Sequence, residues 1–169
     1  MTRLAKFVNL VAFGLLALTL TGQTQIGGWP RKIIPSEPLL APKVRYRLIE
    51  KFGPVKYCDL VDCLGPCNIT GEKKNAEDIF PLIRKDTETF GAITEHLGLA
   101  GVSQFTSEQK LSVYREYKKL VLGVKVETEG KNLRFKIPEA NGFKLEGTVT
   151  PEGEITVEKK EPGRIMCPL

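Results

Sequence analysis

Three of the chain's four cysteines fall within ten residues, in "YCDLVDCLGPCN" at 57–68. The fourth, Cys167, lies about a hundred residues further on. Cys58, Cys63, Cys67 and Cys167 thus read C-x4-C-x3-C plus a distant partner. Structural zinc sites pair their ligands as C-x2-C or similar spacings, and the chain holds a single histidine, His96. Neither spacing is the C-x-x-C of a thioredoxin-like redox motif, and iron–sulfur spacing does not match either. An even cysteine count in an exported chain favours two disulfides, with three pairings open. In the chain-entropy picture, tying Cys167 to the cluster stabilises by about 5 kcal/mol, against about 2 for a local pair. The cysteines are therefore expected to be staples; a metal site and free thiols are the alternatives.

The other groups with chemical potential are few. Asp59 and Asp62 flank the cysteines and could form a carboxylate pair or bind calcium, but no EF-hand-like ligand series follows. Turn-forming aspartates that bond local amides are the commoner case. His96 stands two residues before Gly98, where a helix is expected to end, so capping and dipole compensation are its expected roles. With one histidine, any Ser-His-Asp or Cys-His arrangement would depend on it, and no nucleophile-elbow motif is present. No glycine-rich phosphate loop occurs, and no cofactor is expected. Asn68-Ile69-Thr70 fits a glycosylation sequon, which matters only in a host that uses it.

The compartment follows from the N-terminus. Arg3 and Lys6 form a basic head, residues 7–22 carry no charge, and small residues lead into Gln23. That is the pattern of an export signal, and residues 1–24 are assigned to it. Gln23 stands where a lipoprotein box would need cysteine, so lipid anchoring there is excluded. An uncleaved signal anchor is the alternative, because no charge intervenes between Lys6 and Arg31 and a span needs roughly 20 apolar residues. Without Arg3 and Lys6 the net charge is +3, which gives no reason to expect nucleic acid. Residues 31–56 hold seven basic side chains against Glu37 and Glu50. This arm reads as solvated, with contact to an acidic surface as the second reading.

The elements that must position these groups follow in order. Residues 25–43 carry four prolines and form a linker or extended arm. Tyr46, Leu48 and Ile49 start a strand or a short helix, which periodicity does not decide. Ile79, Ile83, Phe90, Ile93 and Leu97 lie on one helical stripe, with Pro81 in the first turn and Gly98 as the stop. A second helix starts at Thr106, whose side chain and that of Gln109 make a capping box. From Val124 the period changes to two, giving four strands joined by "EGKN", "PEANG" and "TPEGE". Strands apolar on one side and charged on the other make an antiparallel sheet with one wet face.

Three stretches carry a resemblance: "FGPVKYCD" at 52–59, "HLGLAGVSQFTSEQKLSVYREYKKL" at 96–120, and "GFKLEGTVTPEGEITVEKKEP" at 142–162 followed by "CP" at 167–168. Together they resemble a family of uncharacterised exported bacterial proteins, over about residues 44–168. In some relatives the module stands ahead of a Hint-type autoprocessing domain. This chain ends at Leu169, just after the "CP", so no such domain and no self-splicing are expected. The resemblance implies no activity, cofactor or site residue.

The expected fold is α+β: two helices on one face of a four-stranded antiparallel sheet, with a disulfide-rich N-terminal loop, in one domain over 44–169. The expected role is a non-enzymatic binding or assembly module at the cell envelope, extracytoplasmic, with membrane association through the N-terminal segment. A small secreted hydrolase or inhibitor-type protein using the Cys/Asp-rich loop is the alternative. Whether the protein is an enzyme is left open, with the negative answer preferred.

Overall fold

The computed structural model describes residues 37–57 and 69–163. Four helices precede four strands: α1 Pro42–Phe52, α2 Ile69–Lys85, α3 Thr87–His96, α4 Ser107–Gly123, β1 Lys125–Glu129, β2 Asn132–Ala140, β3 Phe143–Val149 and β4 Ile155–Pro162. The strands form one antiparallel sheet in the order β1-β2-β3-β4. The class is α+β, as the change of period predicts.

The sheet follows its local signals closely. Glu129 pairs with Asn132 across a two-residue turn whose Gly130 has φ +61°. Ala140 pairs with Phe143 across Asn141 and Gly142, at φ +51° and +82°, the twin positive values that a primed hairpin turn requires. Phe135 pairs with Val126 and Gly147, and Ile137 with Leu145, so one face is apolar. A β-carbon at Gly147 would stand 2.9 Å from the Phe135 ring and 2.0 Å from the Thr156 carbonyl oxygen. Glycine is what lets the ring lie flat over β3.

The helical half differs from expectation in number and arrangement. The single stripe from Ile79 to Leu97 is carried by two helices that break at Asp86. The Asp86 carboxylate accepts from the Thr89 amide and hydroxyl and so caps α3, and it also accepts from the Leu39 amide. Helix α2 begins at Ile69, so Pro81 sits inside it rather than in its first turn. The α4 capping box is present as predicted: the Gln109 amide donates to Thr106 Oγ1, and the Thr106 amide to Gln109 Oε1.

The two predicted helices do not lie side by side on the sheet. Helices α2, α3 and α4 bury their stripes against one another, around Ile79, Ile83, Ile93, Val113, Tyr114 and Leu120. The apolar face of the sheet is covered chiefly by α1, the segment whose pattern decided nothing. Leu48 is fully buried among Val124, Phe135, Ile137 and Val149, while Tyr46 enters the helical core and Ile49 touches both. The exposed face of α1, Lys43, Arg47, Glu50 and Lys51, is regular, but the buried side is divided between two cores and includes the charged Arg45, which obscures the apolar stripe. Burying Leu48 or Phe135 contributes about 2–3 kcal/mol each.

Arg45 fixes α1 to the end of α4. Its side chain is 5 % exposed and donates to the carbonyls of Leu40, Leu120 and Val124. Burial lowers its pKa to about 10, with Tyr117 acting the other way, so the guanidinium stays charged at neutral pH. A cation at the negative end of a helix is favourable, and here it also satisfies otherwise orphaned acceptors.

Candidate functional site

The four cysteines, Cys58, Cys63, Cys67 and Cys167, together with Asp59 and Asp62, lie outside the described residues. Their flanks are well placed. Val55 bridges to Ala140, and the Lys56 amide donates to the Glu139 carbonyl, on the open side of β2. The Lys56 ammonium lies 2.9 Å from the buried Glu139 carboxylate. On the far side of the same hairpin the Gly163 amide donates to Gly142, and a β-carbon at Gly163 would stand 3.3 Å from Glu139 Cγ. Tyr57 and Gly163, which lead towards Cys58 and Cys167, therefore flank one hairpin end.

His96 occupies the last position of α3, as expected, but it is not needed as the cap. Gly98, at φ +67°, donates its amide to Glu95, and Leu99 donates to Thr94, a Schellman-type closure. The ring instead stacks on Tyr46 with centroids 4.2 Å apart. Its Nε2 lies 3.9 Å from Glu116 Oε2, the same oxygen that accepts the Tyr46 hydroxyl at 3.2 Å. Burial and the neighbouring Glu116 carboxylate push the Tyr46 hydroxyl well above its ordinary range, so it remains a donor. Lys119 pairs with the second oxygen of Glu116.

Beside this stack runs a shallow cleft of about 260 Å³, lined by Lys43, Tyr46, Arg47, Glu50, Glu95 and His96. Arg47 and Glu50 also line a neighbouring hollow against the β3–β4 turn. Many of the cleft's polar groups are already engaged: Lys43 pairs with Glu95 at 3.5 Å, and Arg47 donates to the Gly153 carbonyl. Lys51, one turn along, donates to the Ile155 carbonyl on the open side of β4. The basic residues at 43, 45, 47, 51 and 56 all have partners within the protein, so this part of the arm is a folded helix and its exit.

The wet face of the sheet carries the other concentration of charge. Lys125, Lys136, Glu146 and Lys159 stand in one cross-strand row. Glu127 and Arg134 stand in the next, with Arg134 paired to Glu129 and Glu158. Lys144, followed by Lys136 and Lys159, holds the Glu146 carboxyl below the ordinary range. Among the described residues no group of three His, Cys, Asp or Glu side chains is placed to hold a metal, and no helix is long and apolar enough to cross a membrane. No protein family, curated protein or solved structure matches the chain.

Proposed function

We propose that the protein is an exported, disulfide-braced binding or assembly module of the cell envelope. The observation that carries the reading is the convergence of the cysteine-bearing flanks on one hairpin. Three strand spacings of about 4.8 Å separate Lys56 from Gly163, roughly 14 Å in all. Four residues of extended chain after Gly163 reach about 13 Å, and a disulfide joins α-carbons about 5.5 Å apart. A crosslink from Cys167 to the cluster is therefore within reach without disturbing the sheet. It would clamp the exit of α1 and the end of β4 on the hairpin at 139–143, which suits a domain that has left the reducing cytosol.

The export-like N-terminus and the resemblance to exported bacterial proteins support the same reading. So does the state of the α1–α3 cleft, which is small for a substrate pocket and whose Lys43, Arg47 and Glu95 are engaged with neighbours. The binding surface is then the charged face of the sheet, with the Cys-bearing loop as the second. Fusion of the full chain to a phosphatase that folds only outside the cytosol tests export. Activity of the fusion in intact cells is the expected result, and an inactive cytosolic fusion contradicts it.

A further inference from the structure

Lys125 of β1 and Lys136 of β2 are direct cross-strand partners on the open face of the sheet. Like charges in that position oppose sheet formation, and opposite charges are the favourable choice. Neither lysine forms an ion pair among the described residues, although five other ion pairs decorate this face or its edge. Lys159, beyond Glu146, is paired with Glu161 at 3.1 Å, and Glu146 is bound by Lys144 at 3.0 Å. Lys125, on the edge strand, thus faces only a lysine, while Lys136 has Glu146 as its other cross-strand partner and shares it with Lys144 and Lys159. A like-charged cross-strand pair at the sheet edge, with no ion pair of its own, works locally against stability, and such a departure is a mark of function.

We propose that the Lys125–Lys136 pair receives carboxylates from an extended acidic segment of a partner protein. This deepens the binding-module reading and rests on it. Directly opposed residues on neighbouring strands have β-carbons about 5 Å apart, so two lysines there can share a single carboxylate inserted between them. The surroundings choose a protein over a uniformly anionic polymer or bilayer. One step along the strands the charge reverses, because Glu127, Glu129 and Glu158 outnumber Arg134. A surface of unbroken negative charge would meet repulsion there, whereas a polypeptide can place carboxylates over the lysines and neutral or basic groups beyond. A second copy of this chain is disfavoured by area: a four-stranded face about 19 Å wide and roughly 23 Å long offers about 440 Å² per partner, well under the ~800 Å² a side of a stable interface.

The test is a titration of the isotope-labelled full-length protein with an eight-residue peptide alternating Glu and Thr, followed through backbone amide signals. Saturable shifts centred on Lys125, Lys136 and Lys159 are expected, weakening at least threefold in Lys125→Glu and in the neutral variant Lys136→Gln. At the same time Lys125→Glu should raise the urea midpoint, because the repulsion is gone. Absence of shifts in this row, or shifts that persist in both variants, overturns the proposal. So does tighter binding to polyphosphate or to phosphatidylglycerol vesicles, or a concentration-dependent change without peptide, which would assign the face to an anionic polymer, a membrane or a second copy. None of these results depends on export, so the proposal can fail while the cellular reading stands.

Discussion

Lys118 Nζ lies 3.0 Å from Glu72 Oε1, at the end of a lysine side chain that is only 1 % exposed. The ammonium also lies 5.0 Å from the centre of the Tyr114 ring. Arg115 grips the same carboxylate from the solvent side, with Nε 3.1 Å from both oxygens. A buried cation of this kind is held in place by its partner, and the pair joins the first turn of α2 to the middle of α4. Removing the carboxylate strands the charge.

Glu72→Gln is accordingly expected to destabilise the fold by about 2–3 kcal/mol, read as a lower urea midpoint. The pH dependence follows from the same contacts. The hydrogen bond from Arg115, followed by the Lys118 contacts, holds the Glu72 carboxyl below its ordinary 4.5 against the opposing effect of burial. The unfolded chain therefore binds the proton more readily, and the stabilisation present above pH 4.5 is lost as pH falls below it. Glu72→Gln should flatten that part of the stability profile, and an unchanged slope would show that other carboxylates set it.

Arg45→Met keeps the length of the side chain and removes its donors. The Leu40, Leu120 and Val124 carbonyls then lose their shared partner at the junction of α1 and α4. A loss of about 3 kcal/mol is expected, with amide exchange accelerating first in the last turn of α4. Wild-type stability in this variant would mean that water replaces the guanidinium without penalty.

Gly147→Ala places a methyl group against the Thr156 carbonyl and the Phe135 ring, neither of which can yield without moving the sheet. Overpacking of this kind is expected to cost about 2–3 kcal/mol. Thermal unfolding of the variant reads it directly, and the companion change Phe135→Leu should recover part of the loss by vacating the space.

The sheet was legible in the sequence because its signals are local: alternation of Val126, Phe135, Ile137 and Leu145 with charged residues, and glycine-bearing joints at hairpin distance, although β2 runs on through Pro138 to Ala140, inside the expected "PEANG" joint. The capping box at Thr106 was legible for the same reason. The break at Asp86 was hidden because Ile79, Ile83 and Ile93 keep one stripe through both helices and are all buried. The signal that marks it is the cap itself, Asp86 three residues before Thr89. Helix α1 was obscure because Tyr46 and Leu48 serve different cores. Lys118 falls at helical spacing with Leu111, Tyr114 and Val121, but its partner lies 46 residues earlier, and no periodicity reveals a pairing at that distance. His96 was placed correctly at a helix end, yet its ring faces Tyr46 and Glu116, which tertiary packing alone brings together.

The central claim is that the sulfur atoms brace a domain working outside the cytosol, and it is tested most directly by the intact mass of protein isolated from its native cells without reductant. The account predicts a polypeptide lacking residues 1–24 and lighter by four protons than its reduced form, through two disulfides among Cys58, Cys63, Cys67 and Cys167. An unprocessed chain with four free thiols would contradict it.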